Sequence, residues 1–333
     1  MRKPTVSVII PIYNGEEFLK RTIRSLQKQD FNDFEILFVD DNSTDSSPEI
    51  LQLASKTDNR FKFIKTPYNL GIVSKVMNFA KEHVAGEFFV YSSQDDFFSR
   101  DWLTKMVLRA KETGADAVLP DLVFSTGDDP LDKKIIGIKG DRRPIIDGKT
   151  AFQLSLDWTI PGNALWKTHF LRDIGFFDFG MYADEYTVRF FFLNCKSVAF
   201  CNGIFYYFQG NPNAITKAIS PKRLDSAYNY FRLYELARAN NCSNEVVSNC
   251  SRKAALSLIE SAATTFRYAD LKNHRHRLGA AIECMNDPVF LDHLIASLEK
   301  NWLRRFLIPA AVRFRPVLYC VAAAKVALTR HSK

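Results

Sequence analysis

Absences narrow what this chain can be. Its six cysteines, Cys195, Cys201, Cys242, Cys250, Cys284 and Cys320, show no CxxC or other metal-ligand spacing. That speaks against a zinc module and leaves reduced, mostly buried thiols as the expectation. The opening "MRKPTVSVIIPIY" has no charged-then-apolar leader with a small-residue cleavage site, so no signal peptide is expected and the cytoplasm is the expected compartment. Neither GxxxxGK(S/T) nor GxGxxG occurs, which withholds support from a P-loop and from a dinucleotide site. There is no internal repeat and no low-complexity tract. What remains is a chain of 333 residues, 47% of them hydrophobic, able to bury a large core as one big domain or two smaller ones.

Acid is absent from residues 301 to 333, which hold seven basic residues: Arg304, Arg305, Arg313, Arg315, Lys325, Arg330 and Lys333. The chain has 45 Lys and Arg against 37 Asp and Glu, so without those seven the first 300 residues stand at 38 against 37. A nearly neutral body disfavours a nucleic-acid partner. The tail, "NWLRRFLIPAAVRFRPVLYCVAAAKVALTRHSK", interleaves cations with Trp, Phe, Leu and Val. Its uncharged runs fall well short of the roughly 18 to 20 residues that span a bilayer. Two readings fit it. One is a segment lying on an anionic membrane surface, apolar face dipping in and Arg and Lys facing headgroups; this would hold the protein on the inner face of the cell membrane. The other is a terminal helix packed on its own domain with a solvated basic face.

The first half alternates strand and helix. "TVSVIIPIY", "FEILFVD", "FKFIKTP" and "EFFVYSS" read as buried strands, with "ADAVLPDLVF" as a fifth. Between them, "EEFLKRTIRSLQKQ" spaces Phe18, Leu19, Ile23 and Leu26 on one helical face. "DNSTDSSPEILQLASK" carries helix-start signals, with Ser46 three residues before Glu49 and Pro48 in the first turn. "GIVSKVMNFAKEHVAG" reads as a helix closing on Gly86. Strict alternation implies a mainly parallel sheet covered on both faces. Beyond residue 130 the pattern loosens into loops around "TGDDPLDKK" and "KGDRRPIIDGK", then short strands ending in "SVAFCNGIFYYF"; from Pro221 to about Lys300 it is helical.

Ligands of open α/β sheets bind beyond the carboxyl ends of the strands. Strand one ends at Pro11, Tyr13 and Asn14, strand two at Asp40, Asp41 and Asn42, strand four at Gln94, Asp95 and Asp96. Any one of these could be only a turn or a helix cap. Three together bring an aromatic ring and four carboxylates to one edge. Counting Glu16, so many like charges need a cation or hydrogen-bond donors. With no His or Cys nearby in sequence, oxygen ligands alone favour Mg²⁺ or Mn²⁺ shared with substrate phosphates. An aromatic at one strand end and carboxylates at the next describe a nucleotide diphosphate site.

The residues "VSVIIPIYNGEEFL…TIRSLQKQDFNDFEILFVDDNSTDSS…NLG…GEFFVYSSQDD" resemble the N-terminal half of the family 2 glycosyltransferases, of the kind that build bacterial surface polysaccharides, O-antigen or capsule. Those enzymes have the GT-A fold. The match covers about residues 5 to 100, and weaker agreement continues through "PGNALWKTHFLRDIGFFD", "YADEYTVRFFF" and "FYYFQGNPNAIT". The resemblance implies a Rossmann-like, mainly parallel sheet flanked by helices over residues 1–220, with a nucleotide-sugar half to about residue 100 and an acceptor half after it. A helical C-terminal region would follow over 221–333, its membrane-associating tail at about 301–333.

The resemblance also implies roles. Pro11 and Tyr13 match positions that pack on the nucleotide base, Tyr13 by stacking. Asp41 matches the acceptor of a uracil hydrogen bond, and Glu16 the acid of a YNxE pattern. Asp96 matches the metal ligand and Asp95 the carboxylate facing the ribose. The family usually has Asp where this chain has Gln94, a departure of little expected consequence if Asp96 is the indispensable ligand. The base that deprotonates the acceptor hydroxyl matches Asp184 in one alignment of "MYADEYTVRFF" and Glu185 in another, and a plain helix-start acid pair is the bland reading. Trp158 and Trp166 border the acceptor region, one of them equally a core residue. Lys75 and Asn78 match loosely near the diphosphate. The implied activity is inverting, Mn²⁺- or Mg²⁺-dependent transfer from a UDP-sugar to a lipid-linked or polysaccharide acceptor. A nucleotidyltransferase stays open, although it would ordinarily carry a basic Gly-rich loop where "PIYNGEEF" is acidic. So does a non-catalytic sugar-nucleotide-binding partner.

Overall fold

The computed structural model describes residues 3–127, 130–215, 217–298 and 302–330. They divide into two compact units, Met1–Asp178 with Thr187–Pro212, and Phe179–Tyr186 with Asn213–Lys333.

In the first unit strands and helices alternate. The order is β1 (Val6–Ile12), α1 (Glu16–Gln27), β2 (Phe34–Asp40), α2 (Ser47–Thr57), β3 (Phe61–Lys65), α3 (Val73–Ala80), β4 (Phe88–Tyr91), β5 (Phe97–Phe98) and α4 (Trp102–Thr113). There follow β6 (Ala117–Ser125), β7 (Pro130–Ile135), α5 (Gly148–Ser155), β8 (Leu165–Lys167), α6 (Ala183–Asn194) and β9 (Val198–Phe208). The first turn of α6 is grouped with the second unit. Among the described residues one sheet runs β3-β2-β1-β4-β8-β6-β9-β5, with β7 paired to β6. The strands β3, β2, β1 and β4 are parallel. Every residue of β2 is buried, as a strand covered on both faces requires. On α1 the buried residues are Leu19, Thr22, Ile23 and Leu26, one stripe at helical spacing.

Three details differ from the sequence pattern. The stretch "PLDKKI" is not loop but β7, antiparallel to β6; a lysine-rich strand paired on one side hides any apolar alternation. Residues 128 and 129, in the "TGDDPLDKK" expected as loop, lie outside the described residues. The three-residue β8 is inserted antiparallel between β4 and β6, breaking the parallel run, and is too short to show a period. Gly86 does not close a helix, since α3 ends at Ala80 and a single 3₁₀ turn, Lys81–His83, follows. It serves close approach instead: a Cβ there would lie 2.6 Å from the Ser7 nitrogen and the Phe88 oxygen.

The second unit is helical: α7 (Ser226–Ala239), α8 (Asn244–Arg267), α9 (Gly279–Met285), α10 (Pro288–Ser297), α11 (Trp302–Arg313) and α12 (Arg315–Arg330). Ser243 caps α8 and Asp287 caps α10, each accepting a main-chain N–H three residues on. The terminal helices bury Ala311, Val312, Leu318, Ala322 and Val326, and Lys325 pairs with Glu260 of α8 at 2.6 Å. Arg304, Arg305, Phe306, Arg313, Phe314 and Arg315 are exposed. Lys333 lies outside the described residues. Among the described residues no helix is long and apolar enough to cross a membrane.

Candidate active site

β1 and β2 end level, Ile12 opposite Asp40, and the Asp41 N–H donates back to the Ile12 carbonyl at 2.7 Å. Both chains then turn through an asparagine in the left-handed region, Asn14 at φ 48° and Asn42 at φ 60°. Asparagine tolerates that conformation better than most side chains. The two loops are latched together. Asn14 N–H donates to Ser43 Oγ (3.0 Å), Thr44 N–H to Asn14 Oδ1 (2.8 Å) and Gly15 N–H to Ser47 Oγ (2.9 Å). Glu16 N–H donates to Asp45 Oδ2 at 3.0 Å, and Ser46 N–H donates to Glu16 Oε2 at 2.8 Å. Each helix start thus has orphan donors satisfied by an acid from the other. The Glu16 carboxylate, expected at the nucleotide sugar, is engaged in this exchange. Asp40 is buried and accepts the Ser43 N–H at 3.2 Å, closing its own turn.

Asp41 is 4% exposed and held by three donors. Its Oδ1 accepts Leu70 N–H (2.7 Å) and the Thr66 hydroxyl (3.1 Å), and its Oδ2 accepts Gly71 N–H (2.8 Å). That leaves Oδ2 with room for one further donor, such as a ring N–H.

The loop after β4 rises from Tyr91, which is opposite Ile9, to meet the end of β1. Gln94 makes that junction: its Oε1 accepts Tyr13 N–H at 2.8 Å and its Nε2 donates to the Tyr13 carbonyl at 3.1 Å. A carboxylate could not make the second bond. From below, the Thr22 hydroxyl lies 2.8 and 2.7 Å from the carbonyls of Gln94 and Asp96. Arg21 donates to the Asp95 carbonyl at 2.8 Å, its guanidinium set against the rings of Phe208 and Phe97. Asp95 Oδ2 accepts Asn211 Nδ2 at 2.7 Å. Asp96, only 2% exposed, accepts Phe208 N–H on Oδ1 (3.0 Å) and Ser92 Oγ and Ser93 N–H on Oδ2 (both 3.3 Å). Burial, and then the neighbouring Asp95 charge, push the Asp96 carboxyl well above the usual carboxylate range despite those donors. Tyr13, whose main chain Gln94 holds, is 49% exposed.

This arrangement suits a hard divalent cation. Among the described residues no group of three or more His, Cys, Asp or Glu side chains forms a ready cage, and the donors here are oxygens from two adjacent acids. Mg²⁺ and Mn²⁺ are held in that manner, with one or two protein carboxylates and the remainder from phosphate and water. A cation would also offset the cost of ionising buried Asp96.

The remaining expected residues lie as follows. Pro11 is half-buried within β1, and Asp184 and Glu185 are half-buried in the first turn of α6. Trp158 is exposed, with φ 65° and the Arg189 guanidinium 5.8 Å from its ring. Trp166 is a correction: it is fully buried among Phe170, Phe191 and Phe192, so its ring has no face to offer a sugar. Asn78 is structural, its amide bonding both Phe176 N–H and C=O, and Lys75 sits 3.7 Å from Asp178. Sequence reasoning missed Arg21, Thr22 and Asn211. The first two sit inside a plain amphipathic helix pattern, and Asn211 comes from a chain-distant loop within "FYYFQGNPNAIT".

Comparison with known proteins bears on the family and the fold. The family model described as glycosyl transferase family 2 matches residues 7–175. EpsH of Bacillus subtilis is 36% identical over 110 residues, 33% of this chain and 31% of EpsH. The GalNAc(5)-diNAcBac-PP-undecaprenol beta-1,3-glucosyltransferase of Campylobacter jejuni is 34% identical over 110 residues, 33% of this chain and 35% of that protein. The aligned stretch thus spans about a third of these relatives' own length. Among solved structures, S. aureus TarS 1-349 in complex with UDP-GlcNAc superposes with a TM-score of 0.71 at 19% identity, covering 99% of this chain and 92% of that one. That likeness establishes a GT-A-like fold with C-terminal helices. With a family match over half of its 333 residues, the chain belongs to glycosyl transferase family 2.

Proposed function

We propose that this protein is an inverting glycosyltransferase moving a sugar from a UDP-sugar to a hydroxyl of a glycan acceptor, with Mn²⁺ or Mg²⁺ bound. The observation that carries this reading is the convergence of Tyr13, Asp41 and the Asp95–Asp96 pair at three adjoining strand ends, held by Gln94 and the latched loops. Tyr13 would stack on the base beside Pro11, Asp41 Oδ2 would accept the ring N–H, and Asp95 would face the ribose. Asp96 would be the principal protein ligand of the cation, whose chemistry is to neutralise the diphosphate as it leaves. Asp184 or Glu185 would accept the proton of the acceptor hydroxyl as its oxygen attacks the anomeric carbon; the sugar–diphosphate bond breaks and the configuration inverts. TarS binding UDP-GlcNAc supports the donor class.

The acceptor reading is a lipid-linked intermediate of bacterial O-antigen or capsular polysaccharide synthesis. The undecaprenol-linked substrate named for the Campylobacter relative supports it. So does the exposed row Arg304, Arg305, Phe306, Arg313, Phe314 and Arg315, whose cations and rings suit an anionic membrane surface on the cytoplasmic side. The test is a panel of nucleotide sugars with Mn²⁺ or Mg²⁺, scored for donor hydrolysis and thermal shift. Turnover of one UDP-sugar is expected. Binding without turnover would favour a non-catalytic partner, and no response to any sugar nucleotide would overturn the reading.

A further inference from the structure

The segment Phe179–Tyr186, which runs into Asp184 and Glu185, is grouped with the helical region 213–333, and that region grips it at both ends. Asp225, the buried residue that opens α7, accepts the Met181 N–H on Oδ2 at 3.1 Å. Arg277 forks onto the same carboxylate, Nε to Oδ1 at 3.0 Å and Nη2 to Oδ1 and Oδ2 at 2.7 and 2.8 Å. The fit leaves no slack. Gly180 has φ 128°, and a Cβ on it would lie 2.7 Å from Asp225 Oδ2 and 3.0 Å from Cγ. Phe179 meets Tyr186 and Tyr228 edge-on at 5.2 and 5.8 Å. The Arg232 guanidinium of α7 lies 5.5 Å from the Phe179 ring and 5.7 Å from the Tyr186 ring.

Between these anchors Tyr182 sits at φ 75°, in the left-handed region that a bulky side chain occupies only when its surroundings over-determine it. Ala183 behind it is fully buried. The backbone that leads into Asp184 and Glu185 is thus held by bonds to the turn.

We infer that Asp225, braced by Arg277, is a positioning residue for the acid pair: the helical region exists in part to hold the proton-accepting carboxylate in its working geometry. This rests on the reading of Asp184 or Glu185 as the base. Arg277 supplies the positive charge without which a buried Asp225 would be costly, and the Met181 N–H transmits the hold to the strained residue. A misplacement of about 1 Å in such a group costs about 100-fold in rate.

Two variants test it: Asp225→Ala, which removes the hold, and Gly180→Ala, whose Cβ would press on Asp225 Oδ2 and displace the turn from it while both members of the ion pair keep their side chains. Each is compared with wild type for kcat with the donor the panel selects, for UDP affinity by calorimetry, and for Tm. The expected result is a fall in kcat of about 10- to 100-fold, with UDP affinity within about two-fold of wild type and Gly180→Ala still unfolding in one cooperative transition, at a lowered Tm. Wild-type kcat in Gly180→Ala would overturn the inference. So would a loss of UDP affinity as large as the loss of kcat, which marks a general structural staple. Should Asp225→Ala fail to fold, Gly180→Ala decides alone. Full activity in both Asp184→Asn and Glu185→Gln overturns the base assignment and this inference with it, whereas wild-type kcat in Gly180→Ala with either acid essential overturns the positioning role only.

Discussion

Replacing Gln94 by alanine should weaken nucleotide binding without touching a nucleotide-contacting group. The side chain makes two neutral hydrogen bonds to one residue, 2.8 Å to the Tyr13 N–H and 3.1 Å to its carbonyl. Net contributions of about 0.5–1.5 kcal/mol each would give roughly 1–3 kcal/mol in holding the loop that carries Tyr13. Water reaches this half-buried site and replaces part of that, so about 1–2 kcal/mol is expected, equivalent to roughly 5- to 30-fold in affinity. Gln94→Glu keeps the acceptor, loses the donor and adds a negative charge beside Asp95 and Asp96; its loss should be at least as large. Calorimetric titration with UDP reads both. A cycle with Tyr13→Ala identifies the route. If Gln94 acts through the tyrosine, Gln94→Ala costs less than about two-fold once the ring is gone. Equal losses in both backgrounds, or undiminished UDP affinity in Gln94→Ala itself, would refute the reasoning.

Other outcomes follow from the packing and charge. Trp166→Ala should destabilise the fold by about 3–5 kcal/mol in chemical denaturation, because it empties an aromatic core site. Trp158→Ala, at an exposed site, should leave stability within about 0.5 kcal/mol and change only acceptor turnover. Burial would raise the Asp116 carboxyl, but the Lys167 ammonium at 2.7 Å and the Lys196 N–H at 2.6 Å outweigh it and hold it below the usual range. A depressed folded value contributes stability above the unfolded pKa near 3.9 that is lost as pH falls through the folded value. Asp116→Asn should therefore flatten the acid limb of the stability curve below about pH 4, and an unchanged limb would assign it to other groups. Charge reversal of Arg304 and Arg305 to glutamate should abolish pelleting with anionic liposomes at low salt; retained pelleting would remove the exposed basic row from membrane binding.

Much of this was legible in the residue pattern, and the limits have physical causes. The strands of the parallel half announced themselves because burial on both faces demands continuous apolar runs, as in "FEILFVD". Asp95 and Asp96 stood out because adjacent acids within an aromatic run need a reason. Side-chain partnerships between distant segments were not legible. Nothing local to Gln94 tells that its amide spans the Tyr13 main chain, and nothing in Glu16 tells that it caps the neighbouring helix. Trp166 and Trp158 look equivalent around a Pro-Gly turn, yet one is core and the other exposed. The Asp225–Arg277 pair joins residues 52 positions apart in the helical region, where pattern carries no information about contact.

The most direct measurement is UDP binding by calorimetry to wild type and Asp96→Ala, each with Mn²⁺ and with EDTA. Binding to wild type that requires Mn²⁺, and that Asp96→Ala loses while keeping its Tm, is the predicted result. Affinity that ignores both the chelator and the substitution would contradict a cation-bridged nucleotide-sugar site at these strand ends.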